Sequence, residues 1–228
     1  MYFDPMYFVF ALPALALVMF AQWRVKSSYG KYARVPNMMR ASGLEVAQRL
    51  LQANGLGHVS IQPSQGELSD HYDPSAKTLN LSQGVANNAS VASLAIVAHE
   101  VGHAVQDATA FGFLRLRTAL VPLANLGSNL GYILFFLGLV MQFTGLVWVG
   151  IAFFSAAVVF TLVTLPVELD ASNRAMKMLQ ANGLVSTQES DGARAMLNAA
   201  ALTYVAALAQ ALSQLLFMLF RAGSSRDD

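Results

Sequence analysis

The feature that most limits what this chain can fold into is an absence. After Arg117 no Asp, Glu, Lys or Arg occurs until Glu168, so positions 118–167 are uncharged. As one helix these fifty residues would run to roughly 75 Å, more than twice the ~30 Å hydrocarbon core of a bilayer, so the segment has to double back. A polar break at Gln142, Thr144 and Gly145 divides it into about 119–141 and 146–166, each near the length of one span. The spacing predicts a transmembrane hairpin over 118–167. A core helix of a water-soluble protein accounts for an apolar run of about a dozen residues, not for two runs of about twenty.

Two further apolar stretches extend the pattern. Residues 5–23 precede Arg24, Lys26, Lys31, Arg34 and Arg40, with no acidic residue among them. A cleaved secretory signal carries its positive charge before the apolar region, so 1–23 reads as a retained first transmembrane helix with a cytoplasmic flank. Ala195–Phe220 is softer, holding Asn198, Thr203, Tyr204, Gln210, Ser213 and Gln214, and is expected to be a further transmembrane helix or to lie against the others. Parity then places 24–117 and 168–194 on the same, cytoplasmic side and the 221–228 tail outside. The expected location is the inner (plasma) membrane of a bacterium.

Composition narrows the chemistry. Charged residues make up 12% of the 228, against roughly 25% in soluble domains, and a formal net charge of +1 supplies no field for nucleic acid, which is not an expected partner. The chain has no cysteine. Disulfides, thiolate catalysis, iron–sulfur clusters and cysteine-rich zinc modules are therefore excluded, and a metal is expected to be held by nitrogen and oxygen.

The polar segments read as a small α+β unit. Ser42 and Glu45 form a capping box ahead of a helix over 42–53 whose apolar stripe is Leu44, Ala47, Leu50 and Leu51, with Asn54-Gly55 as its stop. A short strand is expected at 58–62, with His58 as a surface residue, followed by a turn over 71–75 and a half-exposed strand over 77–82. A buried helix, capped by Asn88 or Ser90, runs through Ala104. Leu51-Gln-Ala-Asn-Gly-Leu56 recurs as Leu179-Gln-Ala-Asn-Gly-Leu184, which reads as shared helix-capping chemistry rather than duplication.

On that buried helix lies His99-Glu100-Val101-Gly102-His103. Residues four apart share a helix face, so both imidazoles can address one cation while Glu100 reaches a water beside it. Two neutral imidazoles suit Zn²⁺, one per chain, and a catalytic site adds a third protein ligand and keeps a water. No histidine follows His103, so the third ligand has to be a carboxylate. Glu168 ends the uncharged run on the same side of the membrane and is the expected ligand. Asp170 is expected to orient a ligand histidine or pair with Arg174, and Asp107, four residues after His103, is a weaker candidate for either role.

The combination of His71-Tyr72-Asp73-Pro74, Leu79 to Ser82, Ala98 to Ala104 around the His-Glu-x-x-His run, and Pro166-Val-Glu-Leu-Asp-Ala-Ser172 resembles the YugP-type membrane zinc metallopeptidases, neutral zinc metallopeptidase family 2. The resemblance covers nearly the whole chain. That family is in turn similar to integral-membrane gluzincins of the CAAX prenyl protease and HtpX class. The resemblance implies ligand roles for His99, His103 and Glu168 and a general-base role for Glu100. In the larger class an aspartate usually stands four residues after the ligand glutamate and supports a histidine; here that position is Ser172.

The expected protein is therefore a mainly α integral membrane protein with three or four transmembrane helices and a small zincin-like catalytic domain of a short sheet plus the HExxH helix. Its expected activity is zinc-dependent cleavage of peptide bonds, with Glu100 as base and His71 and Tyr72 as candidate oxyanion donors, His71 alternatively a turn residue packed on Tyr72, ahead of a strand whose edge could hold an extended substrate. Expected partners are a membrane-associated protein or peptide substrate, the bilayer and, as an open alternative, a second copy of the chain. The competing readings are a membrane scaffold with a non-catalytic metal site and a small-molecule hydrolase.

Overall fold

The computed structural model describes residues 5–224. The first four residues of the predicted first span and the last four of the predicted tail lie outside them. Ten elements follow in chain order: α1 Pro5–Tyr32, α2 Gly43–Ala53, β1 Ser60–Ser64, β2 His71–Asp73, β3 Thr78–Ser82, α3 Gln83–Ala86, α4 Val91–Ala108, α5 Gly112–Val140, α6 Thr144–Ala181 and α7 Thr187–Ser224. Four of them, α1, α5, α6 and α7, are long and apolar enough to cross a membrane. The chain divides into two compact units, each drawn from separate stretches.

The first unit takes residues up to Ala21, Arg115–Pro166 and from Thr203 onward. Here α5 and α6 approach backbone to backbone, because a Cβ added at Gly131 would stand 2.7 Å from Phe154 N and one at Gly150 2.4 Å from Phe135 N. In lipid, where apolar surface alone drives no association between helices, such small residues permit the close packing that does. Phe135, Ile151, Phe154, Val158 and Met218 fill the resulting core. The Ser213 hydroxyl on α7 donates to Phe10 O on α1 at 2.5 Å. Leu126, Ile133, Val140 and Leu162 stay exposed, an apolar surface of the kind lipid covers.

The second unit takes Gln22–Leu114 and Val167–Leu202. The capping box of α2 is complete, Ser42 N–H donating to Glu45 Oε2 at 2.7 Å and Glu45 N–H to Ser42 Oγ at 3.3 Å. Its buried face is Val46, Ala47, Leu50 and Leu51, while Leu44 is exposed; the expected stripe is corrected there. Both Leu-Gln-Ala-Asn-Gly-Leu segments close helices with the same bond, Leu56 N–H to Leu51 O at 2.8 Å and Leu184 N–H to Leu179 O at 2.9 Å. Gly55 and Gly183 supply the left-handed residue this six-residue closure needs, with φ of 71° and 62°.

The sheet corrects three expectations. The segment expected as a turn at 71–75 begins with β2, which pairs antiparallel with β3 (Tyr72 opposite Leu79). The first strand starts two residues later than expected, leaving His58 in the turn before it. The third correction concerns β3, which pairs in parallel with β1 (Ile61 opposite Leu79) and is central in the order β1-β3-β2. It is therefore buried at every position but Asn80 rather than half-exposed, and it is not an edge strand; the outer edges belong to β1 and β2. Beneath the sheet, α4 packs on the 167–181 stretch of α6. A Cβ at Gly102 would meet Ala171 O at 2.7 Å, so the glycine lets the two backbones touch.

Candidate metal centre

The site is built on α4. Ser90 starts the helix, its Oγ accepting from Ser93 N–H at 3.2 Å, and Val91 to Ala98 carry it into the core. Four residues apart on one face, the His99 and His103 rings lie 4.8 Å apart, centroid to centroid. Both present Nε2 to the same carboxylate oxygen of α6, Glu168 Oε2, at 3.2 Å from His99 and 3.4 Å from His103. Donor atoms of all three residues fall within 4.8 Å of one another. The close approach at Gly102 brings the two helices near enough for this, and the Glu168 side chain is 2% exposed.

Glu100 lies beside the cluster, buried, with Oε2 accepting the backbone N–H of Tyr72 at 3.1 Å. Burial pushes its carboxyl up; the two histidines pull it down, and the charges of Glu168 and Asp70 push with burial. For His103 burial alone would lower the imidazole, but the bond to Glu168 and the charges of Glu100 and Glu168 outweigh it, so its pKa is raised. A proton and a metal thus compete for His103 in a site rich in negative charge.

Around these groups the structure sets out partners. Ser172 Oγ stands 3.2 Å from His99 Nδ1. Gln106, which the sequence reading did not single out, is fully buried with Oε1 2.9 Å from His103 Nδ1. Asp170 touches neither histidine: its Oδ2 accepts from Gln106 Nε2 at 2.8 Å and from Arg174 Nε at 2.5 Å. Asp107 is likewise away from the histidines, bound to Lys77 Nζ and to the Tyr72 hydroxyl, the latter at 2.7 Å. Tyr72 thus commits its hydroxyl to Asp107, and burial together with that bond raises its pKa. His71 is exposed on β2, with Nδ1 2.9 Å from Ser69 O. A cavity of about 810 Å³ elsewhere in this unit, lined by Tyr29, Ile61, Glu67, Leu81 and Gly84, includes none of the three donors.

The donor set fits zinc. Two imidazole nitrogens and a carboxylate oxygen are its ligand types in catalytic sites, and each ring has a partner on its other nitrogen, as metal-ligating histidines require. A buried carboxylate shared by two imidazoles is also an arrangement a cation neutralises.

A family model described as "Putative neutral zinc metallopeptidase" matches residues 7–223, and the chain belongs to that family. It is 40% identical over 224 residues to "Putative membrane protease YugP" of Bacillus subtilis (strain 168), a match covering 98% of this chain and 100% of that one. No solved structure matches the chain significantly. Family, relative and the four apolar helices together make this an integral membrane protein of a zinc peptidase family.

Proposed function

We propose that the chain is a membrane-embedded zinc-dependent endopeptidase that cleaves membrane or misfolded proteins. The observation that carries this reading is the convergence of His99, His103 and Glu168 with Glu100 buried beside them. One zinc ion held by those three residues supplies Lewis-acid polarisation of a peptide carbonyl and acidification of water. Glu100 takes the proton as water oxygen adds to the carbonyl carbon, and gives it to the leaving nitrogen as the C–N bond breaks. The Tyr72 amide supports that role by bonding the ionised carboxylate against the pull of burial. Three protein ligands among the described residues, rather than four, favour a catalytic over a closed structural site and so weigh against a scaffold. The test is Glu100→Gln in the purified, detergent-solubilised chain: zinc is retained, and cleavage of an unfolded protein substrate falls at least ~10²-fold. Undiminished cleavage by the variant would sink the assignment.

We further propose that the site faces the cytoplasm across the inner membrane, on the strength of the five basic residues at 24–40 that follow the first apolar stretch. Because the chain lacks cysteine, a single Ser75→Cys on an exposed turn gives a clean probe. An impermeant thiol reagent is expected to label it in inverted vesicles and to leave it unlabelled in intact cells; labelling in intact cells reverses the sidedness.

A further inference from the structure

Resting on the reading of His99, His103 and Glu168 as ligands, we propose that Gln106 is a positioning residue of the metal centre. Its carboxamide locks His103 in the tautomer that presents Nε2, and the helix that carries Glu168 in turn dictates which way that carboxamide points.

The argument is one of donors and acceptors. Gln106 Nε2 lies 2.8 Å from Val167 O and 2.8 Å from Asp170 Oδ2. A peptide carbonyl and a carboxylate accept and do not donate, so the NH₂ group has to face them. A flipped amide would set the buried Oε1 against the buried Val167 carbonyl and the part-buried Asp170 carboxylate, leaving acceptors facing one another with no donor between them. Arg174 Nε–H donates to the same Asp170 oxygen at 2.5 Å and its guanidinium lies over the Phe111 ring, which keeps that oxygen an acceptor. With the NH₂ thus committed, Oε1 faces His103 Nδ1 at 2.9 Å and can only accept. In the neutral ring the proton of His103 therefore sits on Nδ1, and the Nε2 lone pair is left for a cation shared with Glu168.

His99 differs in kind. Its Nδ1 meets the Ser172 hydroxyl, which can donate or accept and so leaves the tautomer open. The two imidazoles of one site are thus held with unequal stringency, and the stringent one is read from Val167 and Asp170, residues flanking Glu168. Correct packing of α4 on α6 and a correctly aimed His103 are one event.

The test uses zinc retention by the full-length, solubilised chain across a chelator series, with metal content as the readout. Gln106→Leu is expected to loosen zinc roughly 10- to 100-fold. Gln106→Glu keeps an acceptor for His103 but faces Asp170 and Val167 O with a carboxylate, and is expected to lose as much. Adding Asp170→Asn to Gln106→Glu returns a donor opposite the new carboxylate while Val167 O still faces it, and is expected to recover part of the loss. A merely space-filling role predicts no such rescue. Zinc retention within about twofold of wild type in both single variants, or no recovery in the double variant, overturns the proposal. If Gln106→Leu fails to fold, the comparison of Gln106→Glu with the double variant decides alone. His103→Ala separates the two layers: should it keep zinc, the ligand reading falls and the proposal with it; should it lose zinc while the Gln106 variants keep theirs, only the tautomer lock falls.

Discussion

Single residues decide what the centre can do, and His103 carries its pH dependence. Its pKa is raised, because the bond to Glu168 and the charges of Glu100 and Glu168 outweigh burial. In the metal-free chain the protonated ring facing Glu168 therefore adds stability that is complete below the ordinary imidazole value of about 6.5 and is lost as pH rises through the lifted one. Zinc requires the neutral ring and runs the opposite way, tightening over the same window. Denaturant unfolding with and without zinc, followed from about pH 5.5 to 8.5, is expected to show the metal-free curve falling and the zinc increment growing; an increment independent of pH contradicts it. At this scale the candidate site was legible where chemistry leaves a rare signature. The histidine spacing and the carboxylate that ends the uncharged run both stand out in 228 residues with four histidines and five glutamates. Gln106 was not, because a glutamine three residues past a histidine is unremarkable until Val167 and Asp170 are folded against it. The Tyr72 contact to Glu100 is made by a backbone amide, which no side-chain pattern encodes.

Among the elements, α4 against α6 is the pairing on which the centre depends. Gly102 allows it, and Gly102→Ala places a methyl 2.7 Å from Ala171 O, where backbone rather than a flexible side chain must yield. The expected loss is about 1–3 kcal/mol of stability, with weaker zinc retention, since both histidines sit on the displaced helix; an unchanged midpoint and unchanged metal content would show the contact to be slack. Helix ends were readable from the chain because caps are local: Ser42 with Glu45, Asn54-Gly55 and Asn182-Gly183. The strands were not, since their stability is non-local. β2 has three residues running into Asp73-Pro74, a turn by composition, and becomes a strand through pairing with β3 and through Tyr72 bonding Asp107. The centrality of β3 follows from a parallel partner eighteen residues upstream, a pairing that alternation within 77–82 cannot reveal.

For the whole molecule, the sparse charge was the most legible property, and four apolar helices are its structural counterpart. Less legible was that each compact unit is assembled from stretches far apart in the chain, because hydropathy divides a sequence linearly while packing does not. One arrangement has a consequence in time. His99 and His103 precede the uncharged run and Glu168 is the first charge after it, so a ribosome delivers the two imidazoles early and withholds the carboxylate until residues 118–167 have been made. On the ligand reading, a nascent chain still entering the bilayer carries two-thirds of a metal centre and no working peptidase. The order of synthesis is itself a safety catch: the blade is fitted only after the handle is in place.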